Sequence, residues 1–400
     1  MEKGIIGSLL NQPASESAGT GRKEIELQVK VIPPRECPRC GNGVLHRHGT
    51  VSKRRVLDAF LDGHWIYLSW IPLRLRCTRC RKTFLCRPAG VRPWSRLTDR
   101  AIRTMVEYSR RMSYTSTAEL LQLDRHRVRR VILKYVEPNI LPEQGQPVVL
   151  TLDELSFSRH DYMSMAGELA PTRRVLSLLD NDLMRTIEGY LRYLKDSGVV
   201  VEAFVIDMKD SWRKAVKRVF PQAKVVVDPF HVVQDANRRL DECRKIEQEA
   251  YKTDIPRYPL LKPREKLTPK QVQQLEVVRR KFPALYELYQ LKEELRDILR
   301  ERDVERAREK IYWWLVAADT AANAEGRVWA NTIRSWREEI LNLIYFTAQG
   351  RRYTNGYIEG KITVAKMIKR LGFGFRNRQS FLKRAFIGCC PRSVIPQLLT

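Results

Sequence analysis

Three apolar runs in the middle of the chain each lead into an aspartate: VVLTLDEL with Asp153, VVVEAFVID with Asp207 and KVVVD with Asp228. A run that is apolar on both faces fits a strand buried within a sheet. The pattern predicts strands at 148–153, 161–168, 173–179, 199–207 and 224–228, and helices at 183–196 and 210–219. Asp210 or Ser211 is the expected N-cap of the second helix. The first three strands are close enough for a meander, whereas the later ones need helical crossovers and therefore parallel pairing. In such a mixed sheet, sites form at the C-terminal ends of the parallel strands. From 232 to about 348 the apolar spacing is helical throughout, and Trp313, Trp314, Trp329 and Trp336 are expected in its core, with a place at an assembly interface as the alternative. One more helix follows an Asn-Gly turn in YTNGYIEGKI. Ile358, Ile362, Ala365 and Ile368 make its buried stripe, and Glu359, Thr363, Lys366 and Arg370 fall on an adjoining face.

The N-terminal third has a different texture. Residues 1–22 are a polar tail, and 138–147 form a linker rich in Pro, Gly and Gln. Between them, Cys37 and Cys40 in CPRC and Cys77 and Cys80 in CTRC have the spacing of a Cys₄ zinc site that joins short strands into a ribbon over 23–90. Four buried thiols are the alternative, and His46, His48 and Cys86 are substitute ligands. Residues 94–138 are expected to be helical, starting at Thr98, with two helices meeting around Asp124. Val128, Val131, Ile132 and Tyr135 would pack inward and leave Arg125, Arg127, Arg129, Arg130 and Lys134 outward, as on a recognition helix. A basic solvated face of a small bundle is the plainer reading.

Charge sharpens this picture. The 400 residues carry 73 Lys and Arg against 46 Asp and Glu, for a net charge of +27. Solubility explains charge of either sign, but a one-sided excess points to a polyanion, and nucleic acid fits it best. No apolar run is long enough to span a membrane, and the N-terminus lacks a secretory pattern, so the chain is expected in the cytoplasm, nucleoid-associated and without a membrane partner. Eight cysteines in a reducing compartment argue for metal or burial before disulfides.

Carboxylates gathered in a half-dry site repel unless a cation lies between them. Oxygen ligands suit Mg²⁺ or Mn²⁺, and two such ions would activate an attacking water or hydroxyl and stabilise a leaving oxygen. Each aspartate taken singly has a structural alternative: Asp153 as a turn or cap, Asp207 as a cap, Asp228 as the turn of DPF with His231 simply packed. Glu359, Lys366 and Arg370 could equally form a solvated face, or hold a metal and phosphates.

Three stretches resemble the DDE transposases of bacterial insertion sequences, most closely the ISL-three family. They are LDELSF at 152–157, VIDMKDSWRKAVKRVFPQAKVVVDPFHVVQDANRRLDECR at 205–244 and YTNGYIEGKITVAKMIKRLGFGFRNRQSFLKR at 353–384. The resemblance covers nearly all of the chain beyond residue 30. It implies a multidomain α/β protein: a zinc ribbon (23–90) and a helix-turn-helix (94–138), then an RNase H-like mixed sheet (148–231), an all-helical insertion (232–350), the rest of the catalytic core (351–390) and a tail (391–400). It also implies Asp153, Asp207 and Glu359 as the catalytic, Mg²⁺- or Mn²⁺-binding triad, two ions per site, with Asp228 and His231 as an accessory D-x-x-H motif. Asp228 is the alternative second carboxylate. One departure, Thr151 where glycine is commoner two residues before the first aspartate, removes no ligand. The activity implied is binding of terminal inverted repeats, strand cleavage and transfer to target DNA, by a homodimer or larger assembly holding one structural Zn²⁺ per chain. Two other functions stay open: a non-catalytic DNA-binding regulator, and a structure-selective nuclease.

Overall fold

The apolar runs assemble into one five-stranded sheet in the order β11-β10-β7-β8-β9. Its strands are β7 (Val148–Ser158), β8 (Asp161–Ala170), β9 (Arg174–Leu179), β10 (Val201–Ile206) and β11 (Lys224–Val227). The computed structural model describes residues 23–398 except 62 and 144, so the tail predicted at 1–22 lies outside the described residues. The chain divides into two compact units, Asn139–Lys366 and the remainder, with the division inside one helix.

In the first of these units, β7, β8 and β9 form the antiparallel meander, and β10 runs parallel to both β7 and β11. Strand β7 is longer than its apolar run. Parallel pairing with β10 stops at Thr151, while pairing with β8 continues to Ser158. Asp153 therefore sits inside a strand, just past the point where its parallel neighbour ends, rather than at a strand terminus. Helices α4 (Met184–Asp196) and α5 (Asp210–Val219) provide the crossovers. The expected N-cap of α5 is corrected: Lys209 occupies that position, and Asp210 is the first helical residue. There its charge complements the helix dipole and pairs with Arg213 and Lys214 instead of capping an amide.

Seven helices follow: α6 (Pro229–Tyr251), α7 (Arg257–Leu261), α8 (Pro269–Lys281), α9 (Pro283–Ile298), α10 (Val304–Thr320), α11 (Glu325–Ser335) and α12 (Arg337–Ala348). Trp314 and Trp329 are buried edge to face with ring centres 5.0 Å apart, and Trp336 is buried too, but Trp313 is exposed and so not a core residue. The next helix, α13 (Gly356–Leu371), buries Ile358, Ile362, Ala365 and Ile368 as its spacing predicts. It approaches the sheet closely because Gly167 on β8 has no side chain. A Cβ there would lie 2.2 Å from Ile358 Cδ1.

In the other unit, β1 (Lys23–Gln28), β4 (His64–Trp70) and β3 (Arg54–Leu61) make one small sheet, and β2 (Leu45–Arg47), β5 (Arg74–Cys77) and β6 (Thr83–Leu85) another. Val56, Trp70, Leu75, Cys86 and Val91 share an apolar core with Val31. Helices α1 (Asp99–Ser109), α2 (Tyr114–Leu120) and α3 (Arg125–Tyr135) start at Thr98, Ser113 and Asp124, whose side-chain oxygens each accept a first-turn amide. Helix α14 (Arg378–Cys389) joins them: Lys383 donates to the Leu133 carbonyl, and Arg384 to that of Met112. The last described turns carry buried Val394 and Ile395.

Candidate active site and nucleic-acid interface

Parallel pairing delivers the acids to one end of the sheet. Asp207 directly follows β10, and Asp228 directly follows β11, where it caps α6 by accepting the Phe230 amide at 3.3 Å. The first turn of α6 carries His231. One ligand atom each from Asp207, Asp228 and His231 lie within 4.8 Å of one another. His231 Nε2 is 3.0 Å from Asp207 Oδ1. On the neighbouring strand, Asp153 is 7 % exposed and accepts the Glu154 amide at 2.6 Å. Glu359 occupies the first turn of α13, half-buried, and its charge acts on Asp153, Asp207 and Asp228. The five residues of the predicted triad and accessory motif thus share one electrostatic neighbourhood, although they span more than half the sequence.

That neighbourhood holds excess negative charge. Burial, and then the charge of Asp207, push the Asp153 carboxyl up to about 7. Burial and Asp228 push Asp207 up to about 7, and burial raises Asp228 as well. Each shift expresses the cost of placing carboxylates together out of water. A divalent cation bound among these groups would offset that cost, and a carboxylate set with one imidazole suits a hard or borderline ion.

Two residues that sequence reasoning passed over hold the arrangement. Asn355, fully buried, donates from Nδ2 to Asp207 Oδ1 at 2.8 Å and accepts from the Thr151 hydroxyl at 2.5 Å. Its carbonyl accepts the Glu359 amide at 2.9 Å. One side chain and its own backbone therefore link β7, Asp207 and the start of α13. The signal was present in the Asn of YTNGYIEG, and the Thr that departs from the family pattern is its partner. Lys209 is the second. It pairs with Glu154, whose charge also acts on Asp207, and, at 2.6 Å, with Asp182.

The cysteines form a separate cluster. Sγ atoms of Cys37, Cys40, Cys77 and Cys80 all lie within 4.8 Å of one another, with Cys37 and Cys80 3.7 Å apart and Cys40 and Cys77 3.6 Å apart. The backbone N–H of Cys80, and also the Asn42 side chain, bring the Cys77 thiol down to about 6. Four convergent sulfurs with one readily ionised are a donor set that can hold a metal. Cys86 lies in the apolar core, while His46 and His48 are exposed and outside the cluster.

On α3, Val128, Val131, Ile132 and Tyr135 are buried, Arg125, Arg130 and Lys134 are exposed, and Arg127 and Arg129 are half-buried. Arg127 covers the Trp65 ring at 5.8 Å. Arg125 and Arg129 line a cavity of about 360 Å³ together with Arg376 and Arg384 from the segment after α13. Arg384 is 5 % exposed, and burial brings it down to about 10. The family of cations at this cavity was invisible in the local pattern, because 250 residues separate its two halves. Lys366 and Arg370 lie on α13, both exposed. Among the described residues no helix is long and apolar enough to cross a membrane.

A family model described as "Transposase", of type ISL3, matches residues 150–385, more than half of the chain. A second, the "Helix-turn-helix domain of transposase family ISL3", matches residues 88–136. A curated relative, the transposase for insertion sequence element IS1001 of Bordetella parapertussis, is 24 % identical over 368 residues, covering 88 % of this chain and 89 % of its own. Among solved structures, the Drosophila P element transposase strand transfer complex aligns with a TM-score of 0.45 and 13 % identity, over 75 % of this chain and 93 % of that one.

Proposed function

This chain belongs to the transposase family ISL3, enzymes that cut and join DNA, and we propose that Asp153, Asp207 and Glu359 are its catalytic carboxylates, working with Mg²⁺ or Mn²⁺ at the end of an RNase H-like sheet. The observation that carries the proposal is the meeting of Asp207, Asp228 and His231 at the ends of β10 and β11, near enough to Asp153 and Glu359 for their charges to act on one another, with Asp153 and Asp207 both raised to about 7. A site so costly to ionise alone is suited to divalent cations.

The protein's residues have distinct tasks. Asp153, Asp207 and Glu359 would hold two ions, whose chemistry is to activate the attacking oxygen and stabilise the leaving one. Asp228 and His231 are accessory. His231 and Asn355 both contact Asp207 Oδ1 and fix the direction of that carboxylate. In the first step a water oxygen attacks phosphorus at an element end, and the bond to the 3′-oxygen breaks to leave a free 3′-hydroxyl. In the second, that hydroxyl attacks a target phosphodiester, and the target's own 3′-oxygen departs. Both are in-line displacements, so one site serves both. The cations of α3, with Lys366 and Arg370, would grip phosphates of the terminal inverted repeats and the target. The Cys₄ cluster would carry one structural Zn²⁺ that fixes the small sheets. Pairing two element ends requires a homodimer or larger assembly, working on nucleoid DNA.

A cleavage and strand-transfer assay on the DNA flanking the gene tests the proposal. Wild type with Mg²⁺ or Mn²⁺ should cut at the element ends and join them, while Asp153→Asn, Asp207→Asn and Glu359→Gln bind DNA but do neither. Retained cleavage in Asp207→Asn with loss in Asp228→Asn would transfer the second catalytic role to Asp228. Binding without cleavage by wild type with either metal would favour a DNA-binding regulator.

A further inference from the structure

The N-terminal sheets carry a groove that the acidic site does not use. About 1130 Å³ in volume, it is walled by the starts of β3 and β5, by β6, and by the segment leading to α1. Arg54, Arg74, Arg87 and Arg96 line it, and among the described residues no Asp or Glu does. Arg55 and Arg92, also on its wall, are already engaged, the first by Glu24 and Glu26 and the second by Asp99. At the rim stands Trp94, 82 % exposed. Its φ is 58°, a left-handed conformation that is costly for a bulky side chain. Strain of this kind persists only where the surroundings enforce it, and it gathers at ligand sites. Burial offers no compensation here, since the indole faces solvent. The Arg54 guanidinium lies 5.5 Å from the ring centre, leaving the ring to work beside a cation.

We propose that this groove binds a DNA strand, with its arginines on phosphates and Trp94 stacked on an unpaired base. The arginines supply the sequence-independent attraction. The exposed ring decides the form of DNA. A paired base within a duplex offers only its edges, so stacking face to face needs a base released from the helix. A single-stranded segment and a duplex with an unpaired base both provide one. The inference rests on DNA binding by this chain but not on the role of its carboxylates, because the groove contains none of them.

Binding measurements without added Mg²⁺ or Mn²⁺ test the groove independently of strand cleavage. Fluorescence anisotropy would compare a single strand of about 16 nucleotides, a duplex of the same sequence and that duplex with one mismatch. Trp94→Ala should weaken binding to the single strand, the mismatched duplex or both by roughly five- to a hundredfold, leave the intact duplex unchanged, and be largely rescued by Trp94→Phe. The DNA that loses affinity identifies the source of the unpaired base. Equal affinity of wild type and Trp94→Ala for all three DNAs would overturn the proposal. So would an equal loss on all three, which marks a phosphate contact or a folding defect rather than stacking. Arg96→Ala, exposed and away from any core, should lower the salt slope for the single strand by about one. An unaltered slope would remove Arg96 from the groove's phosphate contacts.

Discussion

The acidic cluster and the cysteine cluster solve one physical problem with opposite chemistries. Each brings together groups that repel once ionised. The sulfurs converge from two short knuckles, CPRC and CTRC, and their spacing announces them. The carboxylates converge only through the parallel pairing of β7, β10 and β11 and the seating of α13 on Gly167. Soft thiolates favour a closed tetrahedral ion that serves structure, and hard oxygens with an imidazole favour an ion left accessible to phosphate. The cysteine cluster should therefore fail by unfolding its surroundings, and the acidic cluster by losing chemistry in an intact protein.

Variants that exchange these failures would break the contrast. The largest effect is expected from Glu359→Gln or Asp153→Asn: strand cleavage falls roughly a thousandfold or more, at about 1.4 kcal/mol per tenfold, with DNA affinity kept. Cys77→Ser should do the reverse. It should lower the melting temperature of the N-terminal sheets and weaken DNA binding, while isolated metal binding at the acidic site persists; differential scanning calorimetry with DNA titration checks both. Gly167→Val should displace Ile358 and with it Glu359, reducing cleavage by about a hundredfold or more, because the neighbour to be moved is a packed side chain. Asn355→Ala, which frees Asp207 and Thr151, should cost about ten- to a hundredfold in cleavage, the range typical of groups that orient a metal ligand.

The pH dependence gives a subtler test. The carboxyls of Asp153 and Asp207 sit at about 7 in the folded chain against an ordinary value of 3.8. The folded state therefore binds these protons more tightly. The associated loss of stability is absent below pH 3.8, grows as pH rises and is complete above about pH 7. Metal-free protein should accordingly lose melting temperature across this window, Asp153→Asn should flatten the loss, and Mg²⁺ should restore more at pH 8 than at pH 5.

Much of this molecule was legible before its structure. Buried strands, crossover helices and the Cys₄ spacing follow from short-range patterns. The α3 face was also legible, because Val128, Val131, Ile132 and Tyr135 recur at helical spacing. What escaped notice depended on distance. Thr151 and Asn355 are 204 positions apart, and Lys383 is 250 from the carbonyl it meets. No local periodicity records either. The N-cap of α5 escaped for a different reason: Lys209 is drawn to Glu154 and Asp182 by charge, which shifts the helix start one residue from the better capping side chains.

Counting bound Mn²⁺ with electron paramagnetic resonance would show whether the acidic cluster is a divalent-metal site for strand cleavage. The measurement would use the complex with DNA from the flanks of the gene, for wild type, Asp153→Asn, Asp207→Asn and Glu359→Gln. Wild type should take up Mn²⁺ at concentrations that support cleavage, and each variant should take it up at least about tenfold more weakly. Equal uptake by all four proteins, or cleavage by wild type with no Mn²⁺ bound, would contradict that assignment.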